Sequence, residues 1–366
     1  MKTKIFVVII VILAGILIGA NYSKHIVLND NKIIKIGVIA PLTGNVAFLG
    51  DGIKYAVRMA EAELASTTNN KWQYKVILEN DSFDASKAVS AAQKLISIDH
   101  VAAIVTLASA AGNAVNPVAE KARVIQFGIA SDPNVANGHY NFIHWTPPYE
   151  ETKIFVPELQ KRGYHRVAIL GAKIQGVTAV IHSLQKDIQN TDIQIVDQEM
   201  FDFGTKDFRT MIAKAQSNHP DIYVLFAFSP ELDLIAKQLK ENGITTPVTS
   251  IESFEQSDHP EIYEGDWYVN GADTTLSFID SYSKIYNKPP SLGAGNAYDI
   301  IHLISDAAEK VDSNTLPTSE QIAEKLYTIK NVQGALGNLS IDSDGLVVSG
   351  AVIRMIKDGK PITIQP

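Results

Sequence analysis

The chain has 366 residues, enough for two domains with cores of their own. Hydrophobic residues make up 46% and charged residues 20%, a globular balance that excludes wholesale disorder. The net charge of −8, with no Lys/Arg-rich block, excludes the usual electrostatic footprint of a nucleic-acid binder, and the lack of any cysteine excludes disulfides, thiolate metal sites and lipid attachment through an N-terminal cysteine.

Lys2 and Lys4 precede the charge-free run "IFVVIIVILAGILIGA", and polar "NYSKH" follows. That order describes a secretory signal or an N-terminal membrane anchor within residues 1–30. Cleavage after Ala20 would put Ile18 where a small residue is preferred, and the run is short for a spanning helix, so both forms stay open. Either way the remainder is exported, and its location is periplasmic or extracytoplasmic.

Strands and helices then alternate. "IIKIGVI" leads through "APLTGNVAFLGDG" into a helix near Phe48, with Ile53, Ala56, Val57, Ala60 and Leu64 at helical spacing. "QYKVILEN" reads as a strand, and Asp84 as the N-cap of the helix "ASKAVSAAQKLIS". "VAAIVT" precedes a helix near 110–122, and "RVIQFGI" is another strand. Turn-rich "SDPNVANGHYNFIHWTPP" interrupts this rhythm. It resumes with helices near 149–162, 175–189, 206–217 and 231–242, and with strands at 165–170, 193–199 and 221–228. "PVTSI" and "DWYVNGA" are later strand-like pieces, helices near 275–287, 296–310 and 318–328 follow, and "LSIDSDGLV" is a hairpin or turn. Repeated βα units predict an α/β fold of two doubly wound lobes with parallel sheets. The crossings between lobes fall at Ser131–Pro148, Trp267–Ala272 and Gly334–Asp344. The expected first lobe takes residues 31–146 and 271–336, and the second 147–270 and 337–366.

Enzyme signatures are missing: there is no G-x-S-x-G elbow, no phosphate-binding loop and no H-E-x-x-H pair. "DSDG" lacks the third acid and final Glu of a calcium loop and reads as a tight turn. Neither a cofactor nor a metal is expected, and no catalytic residue. The better candidate is "IVTLASAAGNAVNP", where a buried strand ends at Leu107 and Ser109 stands at the start of a helix. Ser109 serves there either as a cap or as an anion ligand beside free N–H groups. Ala130 and Asp132 top the neighbouring strand, and two such strand ends make a crevice.

Three stretches, "IKIGVIAPLTGNVAFLGDGIKYAVRMAEAEL", "ENDSFDASKAVSAAQKLI" and "GTKDFRTMIAKAQSNHPDIYVLFAFSPE", resemble in order and spacing the branched-chain amino-acid-binding proteins of ABC importers, which are type I periplasmic binding proteins. The resemblance spans residues 33–366. It implies two lobes joined by three crossovers and closing on a small-molecule ligand, a monomeric chain, and a membrane permease as partner. It further implies that Ser109 binds the α-carboxylate of an amino acid, that the Ala130 carbonyl and Glu252 receive the ammonium, that Phe48 and Phe228 are aromatic walls, and that Leu107 is an apolar contact. Two positions depart from the pattern: Asp132 replaces a small hydroxyl residue, and Gln175 replaces an aromatic. A carboxylate at 132 would repel a ligand carboxylate, which points to a more basic amine or an amide, unless Lys173 neutralises it. A membrane-anchored sensory module of the same fold is the alternative function.

Overall fold

The structure is a computed structural model that describes residues 32–44 and 46–365. The predicted secretory segment, residues 1–30, lies outside the described residues. The first lobe is built on five parallel strands, β1 (Ile33–Ala40), β2 (Gln73–Asn80), β3 (Ala103–Leu107), β4 (Ile125–Ile129) and β5 (Asn141–Ile143), in the order β2-β1-β3-β4-β5. Every residue of β3 and β4 is buried, as a parallel sheet covered on both faces demands. Helices α1 (Ala47–Ser66), α2 (Ala85–Lys94) and α3 (Ser109–Ala122) connect these strands. Asp84 caps α2 as expected, accepting from the amides of Ser86 and Lys87.

The second lobe repeats the plan. Helix α4 (Pro148–Lys161) leads into β6 (Arg166–Ala172), α5 (Gln175–Asp187), β7 (Gln194–Phe201), α6 (Arg209–Ser217), β8 (Ile222–Phe226), α7 (Glu231–Glu241) and β9 (Val248–Ser250). The sheet order is β7-β6-β8-β9, all parallel. Strand β10 (Trp267–Gly271) follows, and α8 (Leu276–Tyr286), α9 (Ala294–Glu309) and α10 (Ser319–Leu326) return to the first lobe. There α9 packs along α1 and buries residues around nearly its whole circumference.

The last crossing differs from expectation. Strands β11 (Val332–Gly334), β12 (Gly337–Ile341) and β13 (Val347–Val348) form the small antiparallel sheet that "LSIDSDGLV" promised. Its Leu339, Ile341 and Val347 pack into the first-lobe core, so the chain stays in that lobe beyond 336. It crosses at Ser349–Gly350, and β14 (Ala351–Lys357) and β15 (Lys360–Gln365) then pair with β10. The three crossings touch. The hydroxyls of Thr146 and Ser349 are 3.1 Å apart, and the Ala272 amide donates to the Gly350 carbonyl at 2.9 Å. A Cβ on Gly271 would stand 2.3 Å from Thr146 Oγ1, so only glycine lets the strands run this close.

Candidate functional site

The carboxyl ends of both sheets face one another across the hinge and enclose a cavity of about 430 Å³. Doubly wound sheets place their ligand crevices there, because the chain leaves each strand in a loop before the next helix begins. From the first lobe come Leu49, Phe83, the β3–α3 turn through Ala110, and Ile129–Ser131. The second lobe supplies Lys173–Val177, Phe203, Phe226–Phe228 and Ile251–Ser253, and Trp145 closes the hinge side. The lining is mostly apolar, so the few polar groups set what it can hold.

One pole is a helix start. Ala108 is held at φ 75°, ψ 149°, a backbone region almost confined to glycine, and Ser109 begins α3 immediately after it. Ser109 does not cap its own helix; its Oγ accepts the Asp132 amide at 3.1 Å. The amides of the first turn lack intrahelical acceptors and, with the helix dipole, favour an anion. Gly176, at the start of α5, approaches from the other lobe: a Cβ there would lie 3.3 Å from Ser109 Oγ.

Glu252 forms the opposite pole. Its φ of 66° puts a non-glycine residue in the left-handed region, and its amide donates to the Val269 carbonyl at 2.9 Å. The carboxylate keeps some surface open to the cavity, yet protein crowds it enough for desolvation to raise its pKa above the usual 4.5. Trp145 Nε1 donates to one carboxylate oxygen, and Ser131 Oγ donates to the other at 3.3 Å, both opposing that rise.

The sequence-predicted residues fall into two groups. Leu107, Ser109, Ala130, Gln175, Phe228 and Glu252 all line the cavity. Phe48 does not; it is 51% exposed and borders a second, more polar cavity of about 510 Å³, while the next residue, Leu49, faces the first. Asp132 is also absent from the lining. Its carboxylate accepts from Asn113 Nδ2 at 2.7 Å and from the Asn134 amide at 3.0 Å, so the cavity position belongs to Ser131. Lys173 pairs with Asp202 at 3.2 Å rather than with Asp132. The residues that sequence reasoning missed are Ser131, Trp145 and Asn113, whose Nδ2 also reaches Gln175 Oε1 across the lobes at 2.8 Å. Phe83, Phe203 and Phe228 were missed as a set: their rings run from one lobe to the other with centroids 6.2 and 6.3 Å apart.

A family model described as periplasmic binding protein matches residues 33–360. The chain is 24% identical to a Leu/Ile/Val-binding protein homolog of Brucella melitensis, over 91% of this chain and 94% of that protein. Its fold matches that of a branched-chain amino acid transporter substrate-binding protein from Streptococcus pneumoniae, solved with isoleucine, at a TM-score of 0.79 and 24% identity, covering 92% of this chain and 100% of that one. A solute-binding protein from R. palustris, solved with benzoate, matches at a TM-score of 0.80 and 15% identity, covering 91% and 96%. At these identities the two structures speak for the fold alone.

Proposed function

The chain belongs to the periplasmic binding protein family, a family of non-enzymatic solute-binding proteins, and from that premise we propose that it captures an amino acid or a related small amine or amide for an ABC permease. The observation that carries this reading is the polarity of the cavity: free helix amides beside Ser109 at one pole, the enclosed Glu252 carboxylate at the other, and apolar walls between. A zwitterion satisfies both poles at once. Its carboxylate takes the place of solvent at the α3 amides, its ammonium pairs with Glu252, and its apolar body lies against Phe226, Phe228 and Val177. Because the poles sit on different lobes, such a ligand binds the closed form better than the open one and shifts the population toward it.

Ser131, rather than Asp132, stands beside the ligand in this reading, which relieves the repulsion that a carboxylate at that place would exert. Aliphatic amino acids thus come ahead of polycations as candidates. A thermal-shift screen of the purified protein against aliphatic amino acids, their decarboxylated amines and aromatic acids tests it. A ligand at about 1,000 times its dissociation constant adds about 4 kcal/mol. Stabilisation by amino acids or amines is the expected result. Stabilisation only by carboxylic acids that lack an amine overturns the assignment of Glu252 and moves the ligand class to that of the benzoate-bound relative in fold.

A further inference from the structure

Behind Glu252 lies a second carboxyl that takes no direct part in lining the cavity. Glu151, in the first turn of α4, is fully buried, and neither of its carboxyl oxygens has a hydrogen-bond donor among the described residues. The charged group that acts on it is Glu252. Among the described residues, the elements packed on α4 offer no cation in compensation. On α5, Asp187 accepts from Thr152, and His182 and Lys186 face solvent. On β14, Arg354 is held by Glu255 and Asp273, and Lys357 is exposed, while β10 carries no ionisable group that faces the pair. On the cavity side, Lys173 is engaged by Asp202 and Asp132 by its asparagines.

Two ionised carboxylates side by side in such a place would each be short of donors and would repel one another. We propose that Glu151 and Glu252 hold one proton between them, so that the cavity presents its ligand with a single negative charge matched to a monocationic head group. The proposal rests on the reading of Glu252 as the ammonium receptor and names the residue that sets its charge. The bond is a carboxylic acid O–H of Glu151 donated to the Glu252 carboxylate, which gives the otherwise unpartnered Glu151 carboxyl a hydrogen bond. Desolvation, and then the nearby Glu252 charge, push Glu151 well above its ordinary 4.5, and desolvation raises Glu252 as well. The pair titrates as a unit, and its steps belong to neither residue alone.

The sign follows from linkage. Above the ordinary carboxylate range, the folded protein binds the shared proton and the unfolded chain does not, so stability from this source is full below about 4.5 and declines as pH rises through the pair's raised value. Below the pair's raised step the shared proton stays in place when an ammonium arrives and the charges match; near that step the ammonium's charge favours the ionised pair, and binding there releases protons.

The first experiment needs no ligand: unfolding of the wild-type protein and of Glu151→Gln as a function of pH. Glutamine keeps the shape and cannot ionise. Asp266, which burial pushes up to about 7, costs both proteins stability with rising pH; beyond that common slope the wild type is expected to lose up to about tenfold more in the unfolding constant per unit than the variant. Parallel profiles overturn the proposal. Carbon-13 NMR titration of the glutamate carboxyls in the wild type decides the same question if the variant does not fold: two coupled steps, one far above 4.5, support the shared proton, and two ordinary titrations refute it. Calorimetry with L-leucine and with 3-methylbutylamine, in two buffers of different protonation heat, then reads the linkage; at the pH where the ligand-free profiles place the pair's raised step, the wild type is expected to release protons and Glu151→Gln to release none. If neither probe binds, the amine reading fails on its own, and the ligand-free profiles still decide the pair.

Discussion

Two buried carboxyl centres flank the hinge, and the protein treats them in opposite ways. Asp299, on α9, is 1% exposed and surrounded by donors. One oxygen accepts the Ala335 amide at 2.5 Å, and the other accepts the Leu336 amide at 3.0 Å and lies 3.3 Å from His144 Nε2. Asn296 in turn donates to the His144 carbonyl at 2.9 Å. The cluster thereby ties α9, the strand leading to the first crossing and the turn before β12 into one unit. Among the described residues, Glu151 and Glu252 have no backbone donor to their carboxyls and depend on Trp145, Ser131 and one another. A buried acid saturated by main-chain amides holds architecture in place. An acid left short of donors at a cavity wall keeps its charge available for a partner that arrives later.

Removing the saturated acid is expected to have the largest effect. Asp299→Ala orphans the Ala335 and Leu336 amides and takes away the His144 contact, at a cost of about 3–5 kcal/mol of stability in chemical denaturation. Ligand affinity, measured under conditions where the variant is folded, is expected to change far less. The mirror image is Glu252→Ala. Its stability is expected to stay near wild type or rise, because an under-solvated carboxyl is gone, while calorimetric affinity for the amine-bearing ligand falls more than tenfold as the ammonium loses its partner. If the two variants exchanged these phenotypes, the division between structural and receptive acids would collapse.

Much of this contrast is legible in the chain, and the gaps have physical causes. The order of βα units, the all-buried strands and the Asp84 cap follow from local pattern, and so does the two-lobed plan. The last crossing does not, because nothing local says in which core Leu339 and Ile341 will lie. Ser109 stands out by its place at a helix start, where cap and anion ligand look alike and family likeness chooses between them, and Glu252 enters only through that likeness, whereas Phe48 and Asp132 each stand one residue from the side chain that faces the cavity. One position along a helix turns a side chain by about 100°, and the strand-end loop after Ala130 is as unforgiving. Glu151 sits where a solvated acid at a helix start belongs, the role its neighbour Glu150 fills. Yet it lies four and eight residues before Phe155 and Leu159, on the buried stripe of α4, and that spacing is the available signal.

Smaller changes sharpen the comparison at the receptive centre. Asn113→Ala removes the side chain that bridges Asp132 and Gln175, one polar tie between the lobes. The lost hydrogen bond, on the order of 1 kcal/mol, is made only when the lobes are together. Affinity is therefore expected to fall about fivefold with no comparable loss of stability in the ligand-free protein. An equal loss of both would mean that the tie supports the first lobe rather than closure.

Ser131→Ala is expected to have the smallest effect and the most diagnostic one. The serine hydroxyl donates to Glu252 Oε2 at 3.3 Å, a long bond that helps the ionised form and lowers the carboxyl's pKa against the desolvation that raises it. Without it, Trp145 remains as the outside donor, and Glu252 takes up its proton at a higher pH than in the wild type. At neutral pH the affinity for an ammonium ligand is expected to drop only about threefold, since most of the attraction is coulombic and survives. On acidification, however, the variant loses binding earlier than the wild type, because a protonated Glu252 has no charge to offer. A calorimetric pH series on both proteins reads this as a displacement of the acid limb toward neutrality. A displacement the other way would mean that Ser131 accepts from a protonated Glu252, and the shared proton would then sit on the cavity side of the pair instead of on Glu151.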